Sequence, residues 1–162
     1  MKSCTLVLPD ADATERAGAA LARALVAGMV VTLAGDLGAG KTTLARGVLR
    51  ALGWRGSVKS PTYTLVEHYP LSNLYLYHFD FYRFDGADEW DDAGVADCFR
   101  DDTLCLVEWP ERVAGRLPHP DVAIVLAHAG DGAAGRTLTA TATTRAGERC
   151  IDALAGATPH AQ

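Results

Sequence analysis

The chain has 162 residues, a length that predicts one domain spanning 1–162. Hydrophobic residues make up 49% and charged residues 22%, with a mean hydropathy of +0.05, which excludes wholesale disorder and supplies enough apolar material for a core. Fifteen Lys and Arg against twenty Asp and Glu give a net charge of -5, so strong unaided binding to nucleic acid or to an anionic membrane is not expected.

Ser3 to Leu8 alternates weakly and predicts a short strand closed by Pro9. From Asp12, read as an N-cap, apolar residues recur at helical spacing through Ala17, Ala20, Leu21, Ala24 and Leu25, and Gly28 is placed to end that helix. Met29 to Leu33 is a short apolar run suited to a buried strand. A glycine-rich turn follows, then a helix over Thr42 to Leu52 that stops at Gly53. The most apolar stretch, Ala24 to Ala34, is about half the ~20 residues a membrane helix needs, so no membrane association is predicted. Asp10, Asp12 and Glu15 interrupt any secretory leader, and the expected location is cytoplasmic. Cys4, Cys98, Cys105 and Cys150 form no CxxC pair and fit free thiols in a reducing compartment.

Thr62 to Tyr69 and Leu74 to Tyr82 are β-rich runs joined by Pro70-Leu71-Ser72-Asn73, the pattern of a hairpin. Gly86 to Asp102 is acidic and weakly helical. Thr103 to Val107 is unbroken and apolar, as a central parallel strand buried on both faces should be, and Glu108 ends it. Val122 to His128 and Thr137 to Thr144 predict two more strands joined by the turn Gly130-Asp131-Gly132, and Glu148 to Leu154 a last helix. The sum is an α/β fold of P-loop NTPase type, a mainly parallel sheet flanked by helices with an antiparallel hairpin portion.

Leu37 to Val66 contains no acid and carries Lys41, Arg46, Arg50, Arg55 and Lys59, whereas Asp85 to Asp102 holds eight acids against the single base Arg100. Two solvated faces explain this as well as a phosphate-facing side and an acidic partner-facing side do.

Gly35-Asp36-Leu37-Gly38-Ala39-Gly40-Lys41-Thr42 matches GxxxxGK[ST] in full and sits between a predicted strand and a predicted helix. Such a loop turns backbone N–H groups and a helix N-terminus toward phosphate, and here Asp36 to Thr43 form the expected nucleotide cradle. Lys41 neutralises the β and γ phosphates, and Thr42 offers its hydroxyl to Mg²⁺. The metal needs an acidic partner at the end of an apolar strand. Asp80 and Glu108 both qualify, and Glu108, closing the wholly apolar run, is the better metal residue. Asp80 is then free to order the attacking water, with Arg83 paired to phosphate or to Asp80. Ser60 to Thr64 stands where a nucleotide-sensing loop could reach the γ phosphate. His78 reads as a hydrogen-bonded structural histidine rather than a catalytic one, and Trp109 and Pro110 as residues that shape the loop after Glu108. No lysine is followed two residues later by Asp, so a guanine-reading [NT]KxD motif is lacking and ATP is favoured.

GDLGAGKTT at 35–43, VKSPTYTLVE at 58–67, YHFDFYRF at 77–84 and LVEWPER at 106–112 occur in one order. In that order the chain resembles the TsaE family, small ATPases of bacterial tRNA threonylcarbamoyladenosine synthesis. The resemblance implies ATP and Mg²⁺ as cofactors, and TsaD and TsaB as partners through which tRNA is met indirectly. It places Lys41 on the phosphates, Thr42 and Glu108 on the metal, Ser60 to Thr64 in a switch loop and Asp80 in hydrolysis. The segment from Gly86 to Phe99 and the alanine-rich C-terminal third depart from the family pattern. A small-molecule P-loop kinase, with Arg112 and Arg116 in a lid, and a nucleotide-gated binding module are the alternatives.

Overall fold

The computed structural model describes residues 1–129 and 135–157. In chain order the elements are Ser3–Leu8 (β1), Ala11–Ala22 (α1), Val30–Ala34 (β2), Lys41–Ala51 (α2), Val66–Pro70 (β3) and Tyr75–Asp80 (β4). Asp88–Ala93 (α3), Thr103–Glu108 (β5), Val122–His128 (β6), Arg136–Ala142 (β7) and Arg145–Gly156 (α4) follow, with 3₁₀ turns at Val95–Cys98 and Pro110–Val113. The strands form one sheet in the order β1-β7-β6-β2-β5-β4-β3.

The sheet is mixed rather than mainly parallel. Its centre, β4-β5-β2-β6, is parallel, while β3 lies antiparallel on β4, and β7 and β1 close the other edge antiparallel. The reason is connection length. A parallel return needs a crossover of roughly a dozen residues or more, and β7 begins only eight positions after His128. β7 must therefore turn straight back on β6, and β1 pairs with it from Ser3↔Thr141 to Leu8↔Arg136.

Both faces of the centre are covered. Leu104 and Leu106 of β5 enter a core built with α1, α2 and α4, and Cys105 and Val107 enter a second one with Phe79, Phe81, Trp90 and Val113. Every residue of β5 is consequently buried, which is why its sequence shows no polar alternation. The four cysteines are free, and burial pushes the Cys105 thiol up to about 12 and the Cys150 thiol up to about 11. No helix among the described residues is long and apolar enough to cross a membrane.

Several boundaries differ from the sequence-based expectation. Asp10, not Asp12, caps α1, its Oδ1 accepting from the Ala13 N–H at 2.8 Å. The helix stops at Ala22, where the Ala24 and Leu25 N–H groups reach back only three residues, to Leu21 and Ala22. Gly28, at φ +93, makes the turn into β2 instead, and its N–H donates to the Thr103 carbonyl at 2.7 Å. The strand expected from Thr62 starts at Val66, because residues 61–64 close a turn through Leu65 N–H to the Pro61 carbonyl (2.8 Å), with Leu65 itself at φ +72. α4 starts at Arg145 behind a Thr144 cap, and the Gly130-Asp131-Gly132 turn lies outside the described residues.

α1 and α2 pack with backbone against backbone. A Cβ on Gly47 would stand 2.1 Å from the Glu15 carbonyl oxygen, and one on Gly18 2.3 Å from that of Leu44. This close approach sets the position of α2, whose first residues line the site.

Candidate functional site

The carboxyl ends of β2, β5 and β4 share one rim, as parallel neighbours must, and ligands of such sheets bind outside that rim. Residues 35–40 leave β2 and fold back into α2. Gly35 is at φ +144, and a side chain there would meet the Leu126 carbonyl oxygen at 2.3 Å. Gly40, at φ +104, caps α2 without a side-chain hydrogen bond, so the first N–H groups of the helix stay available to an anion. In front lies a cavity of about 460 Å³. Leu37 to Thr43 form its base, Ser60, Thr62, Asp80, Glu108 and Trp109 one wall, and Ala11, Thr14 and Arg136 the other.

Lys41 is buried, and its ammonium donates to the Gly35 and Asp36 carbonyls, the latter at 3.1 Å. Trp109, in the left-handed region at φ +59, lays its ring 4.2 Å from Lys41 Nζ. Burial lowers the lysine's pKa, and the carboxylates of Glu108 and Asp80 oppose that shift. The charge is thus desolvated, with carbonyls as its hydrogen-bond acceptors, a state that a phosphate would relieve.

Asp80 and Glu108 are register partners at the ends of β4 and β5. Glu108 Oε2 accepts the Thr42 hydroxyl at 3.1 Å and pairs with His78 Nε2 at 2.6 Å. Asp80 Oδ1 accepts the Tyr82 N–H at 2.8 Å, and its Oδ2 accepts the Thr62 hydroxyl at 3.2 Å, which is itself 2.6 Å from Ser60 Oγ. Among the described residues no group of three or more His, Cys, Asp or Glu could hold a metal. Two carboxylates and a hydroxyl beside a phosphate cradle do suit Mg²⁺, which takes one or two carboxylates and completes its shell with phosphate oxygens and water.

Burial raises the Asp80 pKa, and the nearby Glu108 charge adds to the rise against the hydrogen bonds from Tyr82 and Thr62. The folded state therefore binds this proton more tightly than the unfolded chain does, and stability is lost as pH climbs from the ordinary carboxylate range through the raised value. Asp80→Asn removes that cost. Its melting temperature at neutral pH, measured without nucleotide, is expected above that of the unaltered protein, and a drop would show that the carboxylate is stabilising.

Of the residues expected to bind nucleotide, Leu37, Gly38, Ala39, Gly40, Lys41, Thr42 and Thr43 line the cavity, while Asp36 contributes its carbonyl to Lys41. Of the five bases in the acid-free stretch, only Lys41 lines the cavity, and Arg50 instead donates to the Trp54 carbonyl at 3.0 Å to close the turn after α2. Arg83 meets neither phosphate cradle nor Asp80. It lies 4.4 Å over the ring of Tyr63, a residue 83% exposed. Thr64 turns away to Glu67 at 2.6 Å. Ala11, Thr14 and Arg136 were not singled out from the sequence. Arg136 donates to the Gly38 carbonyl at 2.8 Å across 98 positions, and a lone base at the start of a strand gives no local sign of that.

A family model described as threonylcarbamoyl adenosine biosynthesis protein TsaE matches residues 8–138. A Haemophilus influenzae protein named tRNA threonylcarbamoyladenosine biosynthesis protein TsaE is 40% identical over 159 residues, which are 95% of this chain and 99% of that protein. A Bacillus subtilis protein of the same name is 43% identical over 113 residues, 70% of each chain. The crystal structure of Bacillus subtilis YdiB superposes with a TM-score of 0.75 at 35% identity, covering 96% of this chain and 95% of that one. Because the matched residues 8–138 take in every wall of the cavity, from Ala11 to Arg136, sequence and fold agree that the chain belongs to the TsaE family.

Proposed function

We propose that the protein is a Mg²⁺-dependent cytoplasmic ATPase that supports threonylcarbamoylation of adenosine 37 in tRNAs reading ANN codons, acting with TsaD and TsaB. The observation that carries the reading is the meeting of Lys41, Thr42, Asp80 and Glu108 at one rim in front of an open helix N-terminus. The loop N–H groups and Lys41 bind and orient the phosphates. Thr42 and Glu108 would hold Mg²⁺, and the ion would supply charge neutralisation of the phosphate oxygens. Asp80 orients the attacking water. The Thr62 hydroxyl sits on Asp80 Oδ2, so a partner that shifts the 60–64 loop changes what Asp80 offers to that water, which is gating by population shift.

The positions of two arginines weigh against the kinase alternative. Arg112 donates to the Phe84 carbonyl at 3.3 Å, and Arg116 is tied to Asp88 and Asp91 at 3.4 and 3.2 Å. Neither lines the cavity, and both are engaged by residues of the 84–91 segment instead. A net charge of -5 does not favour unaided binding of tRNA, which fits recruitment through TsaD and TsaB. ATP hydrolysis measured for the protein alone, with tRNA alone and with the two partner proteins tests the reading. Slow turnover alone and clear stimulation by the partners is the expected result. Strong stimulation by naked tRNA, or none by the partners, overturns it.

A further inference from the structure

His78 has no exposed surface, yet only one of its ring nitrogens is used. Nε2 lies 2.6 Å from Glu108 Oε2, while Nδ1 has no hydrogen-bond partner among the described residues. Its neighbours by register and by face, Leu106 and Leu76, are leucines packed in the main core. An imidazole kept in that place with one nitrogen unpaired costs stability that a third leucine would not. What distinguishes it from leucine is the donor on Glu108. The carboxylate can only accept, so the proton of this hydrogen bond sits on Nε2. The other donor to Glu108 Oε2 is Thr42, at 3.1 Å, and Thr42 is itself a metal residue in the function proposed above. His78 is the Glu108 partner for which a cation does not compete.

We infer that His78 is a positioning residue of the metal site, anchoring Glu108 Oε2 through Nε2–H so that the carboxylate is held in place for the cation. The inference rests on the proposed Mg²⁺ role of Glu108. Outer-shell partners of this kind orient metal-binding carboxylates, and losing one costs about 10- to 100-fold in metal affinity.

Two polar variants separate positioning from packing. The amide nitrogen of His78→Gln reaches the place of Nε2, and that of His78→Asn reaches only the place of Nδ1. The measurement is the Mg²⁺ concentration that half-maximally tightens binding of a fluorescent ADP analogue to the full chain, with metal-free binding in EDTA as the reference. His78→Asn should raise that concentration about 10- to 100-fold and leave metal-free binding within about twofold, while His78→Gln stays within about threefold of the unaltered protein. Equal behaviour of the two variants overturns the inference. So does a His78→Asn protein that loses metal-free binding to the same degree, or loses its near-ultraviolet circular dichroism, since either would mean the residue serves the core. Glu108→Gln, run alongside, tells the two failures apart: if it too leaves the Mg²⁺ requirement unchanged, the metal assignment fails, and if it alone shifts, only the role of His78 does.

Discussion

Glu108→Gln is expected to lower Mg²⁺-dependent ATP hydrolysis by at least about 10²-fold, the loss typical of removing one electrostatic or metal-holding group. The substitution keeps the shape and an oxygen that can accept both the Thr42 hydroxyl and His78 Nε2–H. Nucleotide binding without the metal should therefore remain close to that of the unaltered protein. The Glu108 charge also helps to hold the Lys41 proton against burial, so the variant's lysine should lose its proton more readily. Single-turnover hydrolysis against Mg²⁺ concentration reads the effect. Unchanged hydrolysis would move the metal role to Asp80, its register partner on β4.

The largest expected loss of stability comes from a residue with no polar side chain. Gly47→Val would drive its Cβ to 2.1 Å from the Glu15 carbonyl oxygen, a backbone atom that cannot rotate away. α1 and α2 must then separate, and overpacking of this kind costs about 3 kcal/mol. For a chain of this size that lowers the melting temperature by about 10 °C. Nucleotide affinity should fall as well, because α2 carries Lys41 and Thr42 at its first turn. Gly86→Ala is the control. A Cβ there meets nothing within 4 Å, and a change within about 0.5 kcal/mol is expected. If Gly47→Val melts with Gly86→Ala, the close helix contact is not what holds α2 in place.

What the sequence made legible is what lies close together along it. The 35–43 loop could be read because strand, glycines, lysine and helix are contiguous, and Glu108 because an apolar run ends on it. The end of α1 was misplaced because Gly28 carries the same signature whether it terminates a helix or turns into a strand. Thr62 to Leu65 have strand-forming side chains, but the turn at Pro61 and the bond from Thr62 to Asp80 override that propensity. The partner of His78 lies 30 positions away, so its role stayed hidden until β4 and β5 were placed side by side. Arg136 faces the phosphate loop for the same non-local reason.

The pairing of β1 with β7 alone dictates an order of assembly. During synthesis Ser3 leaves the ribosome long before Thr141, its partner in the sheet. Of the seven strands of the sheet β1 is made before the others and is among the last that can be paired, and until then its backbone donors and acceptors are left to water or to a wrong neighbour. Loop closure over that span is also the slowest kind of contact to form. The phosphate loop, β5 and Glu108 can meet while the chain is still growing, but the wall made by Ala11, Thr14 and Arg136 closes only when translation has passed β7. The 35–40 loop and Glu108 are thus both synthesised before the cavity can be complete.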